Sequence, residues 1–598
     1  MRPPADATPS NTARVPAWLA ALGQPVDWSA VRARVGPRGY EGAAWVGVLA
    51  VAALLRLAAL GDRPLDAAEA GPALEAWRLW LGRPPAALES SALLSHVLKL
   101  GFGLLGASDV VARLPAVAGG VLLTLAPLLL RPVLGPLAAV GAGALLALSP
   151  LVVFASRRVD AAILVAALLA LLVGVAVQAV TRNERRWASA VPVLAGLLLA
   201  AGSVAVPAAL AVLAAAALAW WPARREGWAR LRSLAPPPAL SLGLFAATLV
   251  LVGTAGLTHL RGLQAALVDP WVSWLAPYYP RAVAIPWLAA LLLYDLPLAG
   301  AAAGGLLLAV RRNRPFDQFL LWWAAAAALP LVFQPPDPVP YLLVWAVPLA
   351  LLGGMAIGAV PALGWTWRGA AYSILLLALL AIDLCYVVNT TRLLASLFAL
   401  RGGSPPVETR SLLASGLILL LLLVLHWRLA RWGREHLPGE QQANWEARVG
   451  VLAALALGLV FAITVNGRLN YAHYGAGGAE LLRPEALAPD LWELIEEVQA
   501  WGRQNPNTPI VVSQALRPSL LWHLRDVPTV QFHERPPAAG TGLRFLWPAG
   551  PDAPPGERRP WRETIAPAPT MSPNALWNWW LYRNAWLVPI RHDIIVGR

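Results

Sequence analysis

Long apolar runs separated by short polar stretches fill the first 467 positions. Runs such as "LLTLAPLLLRPVLGPLAAVGAGALLALSP" and "AAILVAALLALLVGVAVQAV" match or exceed the ~20 residues that cross a hydrocarbon core as a helix. About thirteen spans are predicted on that criterion. They lie near 43–60, 110–130, 136–154, 161–180, 187–203, 205–221, 239–258, 296–310, 316–333, 341–360, 370–388, 411–427 and 449–466. The stretch 91–105 is too short to span and is expected in or on the membrane, and 283–310 reads as one long helix or two short ones. After Gly467 the pattern changes. "LWELIEEVQAWGRQ" has helical periodicity, "IVVS" reads as a short buried strand, and "LRPSLLWHLRD" as a second helix. "TVQFHE" and "LRFLWP" alternate as strands do.

The expected architecture is therefore mainly α: a polytopic membrane helix bundle over 42–467 with a first outer loop at 61–109. A polar segment, 1–41, precedes it, and a small α/β domain, 468–598, follows and ends in the Trp-rich "NALWNWWLYRNAW". Trp at that density suits the headgroup level of a membrane, or equally ordinary domain packing.

Composition agrees. Of 598 residues 58% are apolar and 13% charged, with a mean hydropathy of +0.58, too few charges to cover a soluble protein of this length. The net charge of +14 is spread over short loops between spans, so no nucleic-acid partner is expected. Arg is denser in alternate loops ("TRNERRW", "RREGWARLR", "RRNR", "HWRLARWGREH"), which predicts a cytoplasmic N-terminus and an extracytoplasmic C-terminal domain, as in an inner cell membrane. No cleavable signal peptide is read in the polar first 40 positions. The single cysteine, Cys385, lies in an apolar run and excludes disulfides and Cys-based metal sites.

This topology gathers Asp66, Glu69, Asp160, Asp269 and Asp337 on the outer face. Asp66 and Glu69 are three apart and face the same way on a helical turn. Asp160 follows "FASRR". Carboxylates from two outer loops suit a hard divalent cation, Mg²⁺ or Mn²⁺, with Asp66 and Asp160 as ligands. Such a cation would neutralise a lipid-linked phosphate leaving group while a second carboxylate takes a proton. Arg63, Arg157 and Arg158 suit phosphate, which guanidinium groups bind in bidentate fashion. The plainer reading of each acid is a helix cap or a solvated charge, and of each arginine a snorkelling side chain. His96, in "SALLSHVLKLG", is a candidate substrate contact or a packed histidine. Asp337 sits at the tip of the Pro-rich "QPPDPVPYLL", and "NTT" at Asn389 fits a glycosylation acceptor only weakly.

Taken in order over roughly 43–598, "LGDRPLDAAEA", "LLGASDVVARLPAVAGGVLLTLAPLLLR", "LALSPLVVFASRRVDAAILVA", "DPVPYLLVWAVPLALLGG", "TPIVVSQALRPSLLWHLRD" and "WLYRNAWLVPIRHDIIVGR" resemble the GT-C class of polytopic glycosyltransferases, PMT-like, nearest to the flippase-activity-associated membrane proteins. The resemblance implies an acidic motif in the first outer loop, with Asp66 and Glu69 as catalytic residues, and a second at Asp160. It implies substrate or phosphate contacts from Arg63, His96, Arg157, Arg158, Asp337 and Tyr341. The family's Asp-Glu pair is Ala68-Glu69 here, with Asp66 two places earlier. "SRRVD" is shorter than the family's second motif, and "DPVPY" keeps an acid but lacks a lysine.

Three readings follow. The first is a metal-assisted, inverting transferase that moves a sugar from a polyprenyl-phosphate donor to an acceptor at the outer face. The second is a catalytically degenerate subunit that binds lipid or docks membrane-protein partners through 468–598. The third is a flippase for lipid-linked sugars. Transporters place ionisable groups at membrane depth, and here Asp295 and Asp383 are the isolated candidates.

Overall fold

A computed structural model describes residues 37–83, 91–221, 234–275, 287–333, 335, 337–360, 375, 379, 382, 409–436, 445–471, 480–483, 485–488, 490–537, 544–551, 553–565 and 589–597. The predicted span 370–388 (with Asp383 and Cys385), the sequon at Asn389 and the Trp-rich stretch fall almost wholly outside these residues. The chain forms two compact units, one of 41–358 with 460–598, the other of 1–40 with 359–459. Every residue of the site below belongs to the first.

Helices occupy α1 (Pro37–Leu57), α2 (Ala67–Trp80), α3 (Ala92–Leu105), α4 (Asp109–Leu125), α5 (Pro136–Leu148), α6 (Pro150–Ser156) and α7 (Ala162–Arg182). They continue as α8 (Arg185–Ala200), α9 (Ala205–Trp220), α10 (Pro238–Gly253), α11 (Trp287–Tyr294), α12 (Leu296–Arg312), α13 (Pro315–Val332), α14 (Val339–Ala359), α15 (Thr409–His436) and α16 (Trp445–Asn466). Each predicted apolar segment within the described residues is helical. Six helices among them are long and apolar enough to cross a membrane, or eight if each of two bent pairs is one span. The shortfall from about thirteen arises partly because α8, α9 and α10 stop at 16 residues, and partly because part of the chain is not described.

The bends explain the ambiguity at 283–310: α11 and α12 meet at 106°, and α5 and α6 at 63°. The two breaks face each other. Ser149, between α5 and α6, donates its hydroxyl to Asp295, between α11 and α12, and each is 2% exposed. The same Oγ accepts from the Val152 N–H (3.2 Å), capping α6. Asn466 donates to Leu148 O (3.0 Å) and Asn470 to Pro150 O (3.2 Å). Carbonyls freed by a helix break inside a membrane have no water to turn to, so side chains must satisfy them. Asp295→Ala leaves the Ser149 hydroxyl unmatched and is expected to cost about 1–3 kcal/mol. Asp295→Asn keeps an acceptor there and is expected to stay near the parent. Thermal unfolding in detergent compares the two, and equal losses would sink this account of the break.

The C-terminal part folds as α17 (Leu491–Gln504), α18 (Arg517–Leu520) and six strands: β1 (Glu485–Leu487), β2 (Ile510–Ser513), β3 (Val530–His533), β4 (Arg544–Pro548), β5 (Glu557–Ile565) and β6 (Pro589–Gly597). The sheet order is β1-β5-β6-β4-β2-β3. β2 pairs parallel with β3 and β4, and the remaining pairs are antiparallel. The first helix and "IVVS" fall where the periodicity put them. The second predicted helix is only four residues long, because 521–526 turn to carry Trp522 and His523 into other contacts. β1, β5 and β6 were not anticipated. Charged residues interrupt the apolar pattern of β5 and β6.

Candidate functional site

Asp66 begins α2 as its N-cap. Its Oδ1 accepts from the N–H groups of Ala68 (3.0 Å) and Glu69 (2.9 Å), and Glu69 Oε2 reaches back to the Asp66 N–H (3.4 Å), completing a capping box. The plain reading of Asp66 as a cap is therefore met by one oxygen. The other, Oδ2, pairs with Arg158 at 3.3 Å. Ala68, where the family's acid was expected, is exposed.

Glu69 is 1% exposed and faces inward. Arg113 of α4, wholly buried, grips it with Nε on Oε1 (3.0 Å) and Nη2 on Oε2 (2.8 Å), and the Val159 N–H adds a third contact at 3.1 Å. Burial alone would raise the Glu69 carboxyl, but Arg113, helped by Arg63 and Arg158, holds it well below the usual carboxylate range. Arg113 also donates to the carbonyls of Leu60, Arg63 and Pro64. Glu69, expected to be catalytic, ties the outer loop to α4 with both of its carboxylate oxygens. Arg157 is likewise committed: it donates to the carbonyls of Leu55, Arg56, Ala58 and Ala59, the open end of α1, and lies 4.6 Å over the Tyr471 ring.

Arg158 gathers the acids. Burial would lower its guanidinium, yet Asp66, Glu69, Asp160 and Asp337 together raise it above its ordinary value. Asp160 and Asp337 each bond two residues on, into the start of a helix: Asp160 Oδ1 accepts from the Ala162 N–H (2.9 Å) at α7, and Asp337 Oδ1 from the Val339 N–H (3.2 Å) at α14. Arg158 thus pairs directly with Asp66, the N-cap of α2, and also feels the charge of two acids, Asp160 and Asp337, that precede α7 and α14. Desolvation by the surrounding protein, with the Asp160 charge added, pushes the Asp337 carboxyl upward, although its side chain still meets solvent. Asp160 and Asp337 open onto a cavity of about 250 Å³ that Ser91, Ser203 and Asp269 also line.

Two further guanidinium groups feel the charge of Asp66. Burial pushes Arg63 down to about 9, with Glu69 and Asp66 opposing the shift and Arg113 and Arg483 adding to it. Burial likewise pushes Arg483 to about 10, opposed by Glu480, with Arg158 adding to the shift and Asp66 opposing it. Sequence reasoning missed Arg483 and Arg113. Arg113 sits one turn after Asp109, a spacing that marks a shared helix face. Arg483 lies some 400 positions from Asp66 and carries no such signal.

His96 and Tyr341 were also expected at the site. His96 packs against the 254–258 turn, its Cε1 3.6 Å from where a side chain on Gly256 would begin, and burial and Lys99 lower its imidazole. Tyr341 is half-buried in the first turn of α14, against the main apolar core.

No family model matches the chain, and no curated protein does. Solved structures do. ArnT from Cupriavidus metallidurans bound to undecaprenyl phosphate is 17% identical, with a TM-score of 0.52 over 81% of this chain and 85% of that one. The same protein in the apo state is 16% identical, with a TM-score of 0.52 over 92% and 97%. The Archaeoglobus fulgidus oligosaccharyltransferase in the apo form is 13% identical, with a TM-score of 0.47 over 83% and 64%. The fold is the one shared with the ArnT structures.

Proposed function

We propose that this multi-pass membrane protein transfers a sugar from a polyprenyl-phosphate carrier to an acceptor, at the face where Asp66, Asp160 and Asp337 gather. The Arg-poor loops carry that face, which puts it outside the cell membrane, together with the 468–598 segment. The observation that carries the reading is the Asp66–Arg158 pair, with Asp160 and Asp337 on one cavity close enough for their charges to act on the same arginine, on a fold shared with a protein solved with undecaprenyl phosphate.

A lipid phosphate offers the guanidinium groups a bidentate partner. Arg158 then exchanges its partner, giving Asp66 Oδ2 for a phosphate oxygen. The released Oδ2 is the base that takes the acceptor's proton. The acceptor oxygen bonds to the anomeric carbon as the bond from that carbon to the phosphate oxygen breaks, in one displacement with inversion. The phosphate leaves with the electron pair, held by the arginines.

Among the described residues no group of three or more His, Cys, Asp or Glu is placed to hold a metal. The two hard oxygens of Asp160 and Asp337 beside the cavity nonetheless suit Mg²⁺ or Mn²⁺, which binds through one or two carboxylates completed by phosphate and water. When bound, such a cation would supply charge neutralisation at the leaving phosphate.

The test uses the full chain in nanodiscs, melted with undecaprenyl phosphate in the presence and absence of Mn²⁺. A ligand at a hundred times its Kd adds about 2.7 kcal/mol of stability. Both Arg158→Ala and Asp160→Ala are expected to abolish the shift. No shift in the parent protein under either condition would defeat the reading. Binding without turnover of a polyprenyl-phosphate sugar would favour the non-catalytic lipid-binding reading, which the double engagement of Asp66 and the alanine at 68 support.

A further inference from the structure

The turn that delivers Asp66 is held by residues more than four hundred positions away. Asp109, at the start of α4, accepts the Leu65 N–H on Oδ2 (3.0 Å) and the Trp522 indole N–H on Oδ1 (2.7 Å). The next residue, His523, places Nε2 3.3 Å from Leu65 O. Burial keeps that imidazole below its ordinary value against the pull of Asp109, so the neutral ring with hydrogen on Nε2 donates the bond. Both backbone polar groups of Leu65 are thus occupied, and Leu65 is the residue that fixes how the chain enters the Asp66 cap.

The clamp is anchored on both sides. Trp522 is 0% exposed, stacks on Phe102 at 5.6 Å between ring centres, and packs in a core with Leu65, Ala73 and Leu98. Arg525 lies 3.7 Å over the Trp522 ring and donates to Trp522 O (2.7 Å) and Ala107 O (2.8 Å). From the sheet side, Gln499 of α17 donates to His523 O (2.7 Å), and Trp492 meets the imidazole edge-on at 5.4 Å. The indole N–H of a buried tryptophan needs an acceptor, and here that acceptor is the carboxylate that also holds Leu65.

We propose that Trp522 and His523, acting through Asp109 and Leu65, are positioning residues that hold Asp66 in the geometry the site requires. The C-terminal segment is then a working part of the first outer loop. The proposal rests on the functional reading above for what the site binds, but the clamp has its own readout. Trp522→Phe removes the indole donor together with part of the buried ring, and Asp109→Asn, which leaves Trp522 in place, separates the lost bond from the lost volume. Hydrogen exchange on the full chain in nanodiscs is expected to show 61–70 losing protection about tenfold in Trp522→Phe, with 339–359 unchanged. Undecaprenyl-phosphate affinity, measured well below the melting temperature, is expected to fall about tenfold. Asp109→Asn should reproduce both effects.

Protection and affinity unchanged in both variants would overturn the clamp while leaving the functional reading intact. A fall in melting temperature with affinity preserved would overturn the positioning role, since it would reduce Trp522 to a packing residue. If the parent chain bound no undecaprenyl phosphate, the functional reading would fall, and exchange at 61–70 would still decide whether the clamp exists.

Discussion

Glu69→Ala is expected to destabilise the protein by about 3–5 kcal/mol, the usual consequence of stripping one partner from a buried ion pair. Arg113 and Glu69 are 0% and 1% exposed, so the loss leaves a guanidinium with no water to replace the carboxylate. The damage extends beyond the pair, because Arg113 carries the carbonyls of Leu60, Arg63 and Pro64 and Glu69 carries the Val159 N–H. Replacing both at once, Glu69→Leu with Arg113→Met, should recover part of the loss, since burying neither charge removes the desolvation cost as well as the attraction.

The pair also sets an acid response. Arg113 holds the folded Glu69 carboxyl below the ordinary value near ~4.3. Just below that pH the unfolded chain therefore binds more protons than the folded one. Its contribution is fully present above ~4.3 and drains away as the pH falls further. Melting temperatures followed from neutral to acid should show this loss in the parent protein and a smaller one in Glu69→Gln. Parallel acid curves would show that Glu69 is not held as described.

Gly305→Ala is the second large effect, at about 2–3 kcal/mol, the upper part of the range for overpacking. A side-chain carbon at Gly305 of α12 would fall 1.8 Å from Leu352 O and 2.3 Å from Leu352 C. The obstacle is the backbone of α14, which cannot rotate away like a side chain, so one helix must move as a body. Helices in membranes rely on such small residues for close approach. Gly300, on the same helix, meets nothing within 4 Å. Gly300→Ala is expected to be neutral or slightly stabilising, as alanine favours helix over glycine. Equal melting temperatures for the two variants would refute the contact. The effect matters at the site, since Asp337 is hydrogen-bonded to the first residue of α14 and a displaced α14 moves that carboxylate.

The long apolar runs determined most of the helices, because in a membrane a helix is the only way for such a run to satisfy its own backbone. The Asp66–Glu69 spacing determined a capped helix start, and "LWELIEEVQAWGRQ" and "IVVS" determined the first helix and central strand of the sheet. These are local decisions, made by neighbours within a few residues. The apposed breaks at Ser149 and Asp295 were hinted at only by an ambiguity of length around 283–310. Tertiary structure alone decided which acids face the site. Glu69 turned inward because Arg113 was waiting on α4, and Arg157 was taken by the open end of α1. Asp160 and Asp337 kept an oxygen for the cavity, and Arg483 and Trp522 arrived from the far end of the chain. A side chain's role depends on which partner reaches it first in space, and partners hundreds of residues apart leave no periodicity for a sequence to display.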